Sequence, residues 1–285
     1  MACARMLARF DSILGGGRAV PAFSCYDLET LGGVVRAAGA GRSVVVLLPA
    51  RVLEDELAVA ALRAAAAHAP ARVCLQADHV HDLETVALAC RLGVGAVMAD
   101  GSPLPFEENV AFVRAAAELA RAHGVGLEAE IGRLPGGDDG DAPVGPGAPT
   151  EPGEAAEFAA RTGVDCLAVA VGSVHGTALD APAELDWARL AAIRARVTVP
   201  LALHGGSGLA PHVLARAVRA GVTKVNVNTA LRRAYLAATR AALDAAEPTA
   251  DLAALHAHQA AVVGDEVAAT LAALDTAPGA VAAAG

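Results

Sequence analysis

At 285 residues the chain exceeds the usual single-domain size but fits one α/β barrel, whose core is large enough to tolerate buried catalytic groups. Hydrophobic residues make up 55% and aromatics 3%, so alanine and the aliphatics carry the packing, and no apolar run reaches the roughly 18 residues of a membrane-spanning helix. A formal net charge of −9 without a basic cluster argues against nucleic acid, and Arg5, Arg9 and Asp11 interrupt any secretory signal at the start.

Eight short apolar runs recur in chain order: "AVPAF" (19–23), "VVVLL" (44–48), "VCLQAD" (73–78), "GAVMAD" (95–100), "GLEAEI" (126–131), "CLAVAV" (166–171), "PLALHG" (200–205) and "KVNVNT" (224–229). Alanine-rich stretches such as "FEENVAFVRAAAELARAHG" separate them and are long enough for crossover helices. Strict strand–helix alternation implies a parallel sheet, and eight units of this length predict an α/β fold of the (β/α)8 TIM barrel type. The expected organisation is a single barrel domain over 1–285 with an alanine-rich helical C-terminal extension from about residue 241. "GRLPGGDDGDAPVGPGAPTEPGE" (132–154) breaks the rhythm and reads as a loop over the catalytic face after the fifth strand. The cysteines (Cys3, Cys25, Cys74, Cys90, Cys166) are scattered without a CxxC, which fits a reduced, cytoplasmic setting.

The strand period of two sorts the polar residues. Gln76 and Asp78 share a face with Cys74, Asp100 with Met98, Glu128 with Glu130, His204 with Ala202, and Asn226 with Asn228. The inward set thus ends in acids, amides and a histidine at C-terminal strand ends, where barrel enzymes place their chemistry. His79, His175 and His204 follow strands three, six and seven, and three imidazoles with an open fourth position make a catalytic zinc centre. Asp100 and Glu130 read as partners that orient these ligands or as an alternative, weaker metal position, with the orienting role favoured. His81, two residues past His79, is expected to be turned aside by helix onset. "HGGSG" (204–208) and "NVNT" (226–229) follow strands seven and eight, where barrels build phosphate sites; Ser207 and Thr229 add hydroxyl donors. Lys224 is the sole lysine and is expected at the opposite end of the barrel, so Schiff-base chemistry is excluded and carbonyl activation falls to metal.

In order, "AVPAF", "ADHVHDLE", "DGSPLPFEENV", "EAEIGRLPGGDDG", "RTGVDCLAVAVGSVHG", "LALHGGSGL" and "GVTKVNVNT" resemble the class II, zinc-dependent fructose-bisphosphate and tagatose-bisphosphate aldolases. The resemblance runs from about residue 5 to 240. It implies a homo-oligomer (dimer or tetramer) and Zn2+ or another divalent ion on His79, His175 and His204. It also implies a second or alternative metal position at Asp100 and Glu130, and a monovalent cation, Na+ or K+, near a ketose phosphate. Asp78 matches the family acid that exchanges a proton with the C4 hydroxyl, and Asp138 falls where the family's loop carries a proton-shuttling glutamate. Gly176, Gly205, Ser207, Asn228 and Thr229 match positions around the phosphate, and Asn226 a residue contacting the donor, dihydroxyacetone phosphate, whose enediolate zinc would stabilise.

The departures concentrate in the pocket. Ser24 and Asp27 stand where the family usually has Asn, and "VHG" continues Thr177, Ala178, Leu179 rather than with an aromatic and a lysine. Ala230 replaces an acid after the strand-eight threonine, and the turn after strand two lacks its usual small, serine-bearing residues. The expectation is an aldolase with an altered substrate, suited to specialised metabolism. Two other readings use the same fold: a barrel that binds metal or sugar phosphate without turnover, and a zinc hydrolase.

Overall fold

The structure is a computed structural model that describes residues 7–136, 147–174, 184–245 and 251–275. Strands β1 (Val20–Ser24), β2 (Ser43–Pro49), β3 (Arg72–Val80), β4 (Ala96–Ala99), β5 (Gly126–Ile131), β6 (Cys166–Val169), β7 (Leu201–Leu203) and β8 (Val222–Val227) form a closed barrel in chain order. Every ladder is parallel, including the β1–β8 ladder that closes the ring. This is the (β/α)8 barrel that the alternation of apolar runs and helices predicts.

Several boundaries differ from expectation. The third strand continues two residues beyond Asp78, the sixth and seventh stop earlier, and Thr229 opens a helix rather than ending the eighth strand. The irregular segment 132–154 gives up its last residues to helix α6 (Pro152–Thr162), because Pro152 at the first helical position loses no hydrogen bond there. The base of that segment is pinned: Arg133 and Ala148 form an antiparallel bridge, with N–H to carbonyl distances of 2.7 and 2.8 Å. Thr150 then staples two strand ends, its hydroxyl donating to the Ile131 carbonyl (2.5 Å) and accepting from the Ala170 N–H (2.7 Å).

Side-chain alternation divides the interior into two apolar regions. Val73, Leu75 and Ala77 of β3, with Leu127, Ala129 and Ile131 of β5, face outward into the layer between strands and helices. The intervening set faces the lumen and combines the small residues Ala22, Cys74, Ala96, Cys166, Ala168 and Ala202 with Val20, Val45 and Leu47. Helix α1 (Phe10–Leu14) supplies Phe10, Ile13 and Leu14 to the lumen cluster, where it packs against β3. Acids start several of the outer helices. Asp27, Asp55, Asp82 and Asp186 each accept the N3 amide of α2 (Leu28–Ala38), α3 (Glu56–Ala67), α4 (Leu83–Leu92) and α7 (Trp187–Arg194), a cap worth about 1 kcal/mol each. The remaining helices are α5 (Phe106–Ala122), α8 (Pro211–Arg219), α9 (Thr229–Ala245) and α10 (Leu252–Asp275).

The C-terminal helix α10 packs on α2 and α9 and contributes Val263, Val267, Leu271 and Leu274 to the outer core. Gly33 permits this contact, since a Cβ there would lie 2.6 Å from the Ala260 carbonyl oxygen. Among the described residues no helix is long and apolar enough to cross a membrane.

Cys25, Cys74 and Cys166 are fully buried. Burial pushes the Cys74 thiol up to about 12 and raises Cys25 and Cys166 as well, so the reactive thiolate is scarce at neutral pH. Alkylation of the folded protein at pH 8, read by peptide mass spectrometry, is therefore expected to leave these cysteines unlabelled until denaturant is added.

Candidate metal centre and active site

The site forms where β3, β4, β5 and β7 deliver polar ends to the C-terminal mouth. Along β3 the ladder with β4 shifts register between Ala77 and Val80. Inside that irregularity His79 adopts φ +46°, the one positive φ among the described non-glycine residues. Such bulges re-aim side chains beside active sites, and the backbone cost of roughly 1–3 kcal/mol implies that the surroundings hold the residue there. Asp100, at the end of β4, provides the hold. Its Oδ2 lies 2.7 Å from His79 Nδ1, and its Oδ1 accepts the Ser102 N–H at 2.9 Å. Burial opposes charge on Asp100, but the hydrogen bond and charge of His79, reinforced by His81, outweigh it and hold the carboxyl well below the usual range.

His204, just past β7, is 1% exposed and meets His79 edge-to-face, with ring centroids 5.2 Å apart. Its Nε2 lies 2.9 Å from Glu128 Oε1, and its Nδ1 lies 3.8 Å from Glu130 Oε2. One ligand atom each from His79, Glu130 and His204 falls within 4.8 Å of the others. A tetrahedral zinc with bonds of about 2.0–2.1 Å needs ligand atoms about 3.4 Å apart, so a small inward movement brings this nitrogen–nitrogen–oxygen set to coordination distance. Glu130 thus offers one of the candidate donor atoms, and Asp100 is hydrogen-bonded to the ring of His79. Asp78, 4% exposed, immediately precedes His79 and pairs across the ladder with Pro49.

His175, Gly176 and Asp138 lie outside the described residues. The chain leading to His175 nevertheless passes directly over the turn after His204. Gly205 has φ +70°, and a Cβ on it would sit 2.3 Å from the Val174 carbonyl oxygen. Ser207, in the turn Gly206–Gly208, accepts the N–H groups of Asn228 (3.2 Å) and Ala230 (3.1 Å) and so caps α9 from a separate loop. Its lone pairs are engaged by the helix, and its hydrogen is the group it can offer an anion. Asn226, Asn228 and Thr229 line the adjoining β8 end and are all buried to 9% exposure or less.

His81 sits apart. Its Nδ1 is 2.8 Å from the Asp100 carbonyl oxygen, so it fastens the end of β4. The chain has not yet entered helix at that point, and the carbonyl of Asp100 is what holds the ring. Asp82, next along, is occupied as the α4 cap.

The expected position of Lys224 needs correction. It is the third residue of β8 and fully buried in the lumen, with Nζ 2.8 and 3.1 Å from the Glu128 oxygens and 2.7 Å from Asn226 Oδ1. A single carboxylate separates it from His204. Its parity with Asn226 and Asn228 along the strand is the sequence signal for this inward placement. Sequence reasoning also passes over Asn109, whose Nδ2 donates to the Glu130 carbonyl at 3.1 Å, and Tyr26, whose hydroxyl donates to Asn228 Oδ1 at 2.8 Å. Asp27, one of the pocket departures, caps α2 and accepts the Tyr235 hydroxyl at 3.0 Å, which accounts for an acid there. The departure after strand two is a 3-10 turn over Ala50–Glu54.

A family model, Fructose-bisphosphate aldolase class-II, matches residues 4–277. The chain belongs to the class II fructose-bisphosphate aldolase family. Solved structures agree. A Coccidioides immitis protein assigned provisionally as a fructose-1,6-biphosphate aldolase shares 30% identity, with TM-score 0.85 over 93% of this chain and 94% of that one. The YdjI aldolase of Escherichia coli K12 shares 26% identity, with TM-score 0.80 over 97% and 100%. Fructose-bisphosphate aldolase (Fba) of Campylobacter jejuni, at 18% identity, TM-score 0.75 and 97% of each chain, shares the fold. Family and fold support an aldolase function, a chemistry typically dependent on a divalent metal.

The two histidines of "HVH" separate in a metal assay. By plasma mass spectrometry, His79→Ala is expected to lose its bound divalent ion, whereas His81→Ala retains it and loses only the hydrogen bond to Asp100, about 1 kcal/mol in a thermal melt. Loss of metal from His81→Ala would overturn the division of roles.

Proposed function

We propose that the protein is a metal-dependent class II aldolase, a carbon–carbon lyase that reversibly cleaves a ketose phosphate or bisphosphate. The donor is dihydroxyacetone phosphate or a close relative. The observation that carries this reading is the convergence of His79, His204 and Glu130 ligand atoms beside Asp78 at the C-terminal mouth. The donor set suits zinc first, and cobalt or iron also accept two imidazoles and a carboxylate. His79, His204 and His175 would hold the ion, with Glu130 as an alternative ligand and Asp100 fixing the ring of His79. A bound ion supplies Lewis-acid polarisation of the donor carbonyl and stabilises the enediolate charge.

The chain's own groups divide the remaining work. Asp78, adjacent in sequence to a ligand yet not in the ligand cluster, is placed to exchange the proton of the carbinol oxygen as the carbon–carbon bond breaks or forms. Asp138 would move the proton at the donor carbon. The donor's phosphate would lie against the Gly205–Ser207 turn, Gly176 and the start of α9 at Asn228 and Thr229, where backbone N–H groups and the helix N-terminus favour an anion. Asn226 would bind the donor, and a Na+ or K+ ion would sit nearby.

The pocket is where this chain differs from the family pattern. Ser24 stands where the family usually has Asn, Thr177, Ala178 and Leu179 replace its aromatic and lysine, and Ala230 replaces an acid beside the phosphate turn. These departures support a substrate other than that of the glycolytic reaction, handled by a cytoplasmic homo-oligomer.

Solvent exchange of the donor's C–H protons tests the chemistry. With zinc present, NMR in heavy water is expected to show exchange into dihydroxyacetone phosphate, abolished by chelation. A barrel that merely binds, or a hydrolase, produces none, and absence of exchange with every ketose phosphate tried would refute the aldolase reading. Asp78→Asn should lower cleavage about 10²–10⁴-fold while leaving metal content intact. Ordinary turnover of fructose 1,6-bisphosphate would remove the altered-substrate idea and leave the rest standing.

A further inference from the structure

The lumen contains a charge pair that barrel packing does not call for. Lys224 and Glu128 are both fully buried and lie among Ala22, Cys74, Ala96, Cys166 and Ala202, a set that aliphatic side chains would complete without any charge. Replacing a buried ion pair with apolar groups of similar volume is often neutral or stabilising, so stability alone is a poor reason for its presence. Its contacts suggest another. Lys224 donates to Glu128 and to Asn226 Oδ1, and Glu128 also accepts from Gln76 Nε2 at 3.1 Å and from His204 Nε2 at 2.9 Å.

We propose that Lys224 is a positioning residue that sets the orientation of two site groups at once: His204 through Glu128, and Asn226 directly. The argument is one of hydrogen-bond polarity. A lysine ammonium only donates, so Asn226 must turn its carbonyl oxygen toward Nζ, and its NH2 becomes the end available to a substrate oxygen. A carboxylate only accepts, so the ring nitrogen of His204 facing Glu128 carries the hydrogen. The lone pair is then on Nδ1, the atom on the Glu130 side of the ring, 3.8 Å from Oε2. The same lysine donates to both groups, and its three N–H bonds match the two carboxylate oxygens and the amide oxygen. The inference rests on His204 being a metal ligand.

Cobalt(II) titration of the purified protein tests it, because the visible spectrum of the ion reports ligand geometry independently of catalysis. Wild-type binding tests the metal reading itself; the ratio of variant to wild type tests the role of Lys224. Lys224→Met is expected to bind Co2+ about 10–100-fold more weakly, with an altered visible spectrum and an unchanged apo-protein circular dichroism spectrum. Glu128→Gln should weaken binding similarly. Because Lys224 acts on His204 through Glu128, the double variant should bind within about threefold of Glu128→Gln alone. A folded Lys224→Met with wild-type affinity and spectrum overturns the proposal. So does a double variant whose losses multiply, or one whose affinity returns to the wild-type value, the result expected if the pair served only stability. Should Lys224→Met fail to fold, the double variant carries no uncompensated charge, and its comparison with Glu128→Gln decides the matter.

Discussion

A carboxylate buried at the centre of a barrel must be surrounded by donors, and the architecture of this protein around Glu128 follows from that constraint. Its donors come from three separate places: Gln76 on β3, Lys224 on β8, and His204 past the end of β7. Burial opposes charge on Glu128, but Lys224 and His204 outweigh it and hold the group well below its usual range. No local segment supplies these partners. Only ring closure, with β8 laid against β1, brings them to one level of the lumen. An unsatisfied charge at this depth would cost several kcal/mol, so the polar layer and the closed topology depend on each other.

Around that layer the remaining interior is divided by height. At the N-terminal end, α1 and the small lumen residues form an apolar cluster. At the C-terminal end acids, amides and imidazoles take over, so solvent and ligands reach polar chemistry from that side. Small side chains at Ala96, Ala168 and Ala202 leave the lumen wide enough for the long side chains of Lys224, Glu128 and Gln76. The outer apolar layer, completed by α10 against α2, is insulated from this arrangement and follows ordinary strand alternation.

The mouth also relies on local departures from regular geometry. His79 lies at a register shift with a positive φ, and Asp100 binds its ring while the Asp100 carbonyl holds His81. One residue thus fixes both histidines of "HVH" and gives them different jobs. The neighbouring loops are tied as firmly: Thr150 links the ends of β5 and β6, and Ser207 caps a helix from another loop. Site atoms are therefore held by backbone contacts as well as by their strands.

Much of this was legible in the chain itself. Apolar runs alternating with helical stretches dictate a parallel barrel, and the period of two places Leu127, Ala129 and Ile131 outside with Glu128 and Glu130 inside. Histidines and acids at strand ends mark the chemical face, and the ordered motifs mark the family. The sequence could not place Lys224 beside Glu128, 96 positions away, nor set Tyr26 against Asn228, since those pairs exist only once the ring closes. Nor could it foresee the bulge that turns His79, because a register shift arises between two strands and is written in neither. Periodicity is a local property and was determined by sequence alone. The partners of buried charge are a long-range property, decided by the tertiary structure because hydrogen bonds to a buried group must come from whatever the fold brings within 3 Å or so.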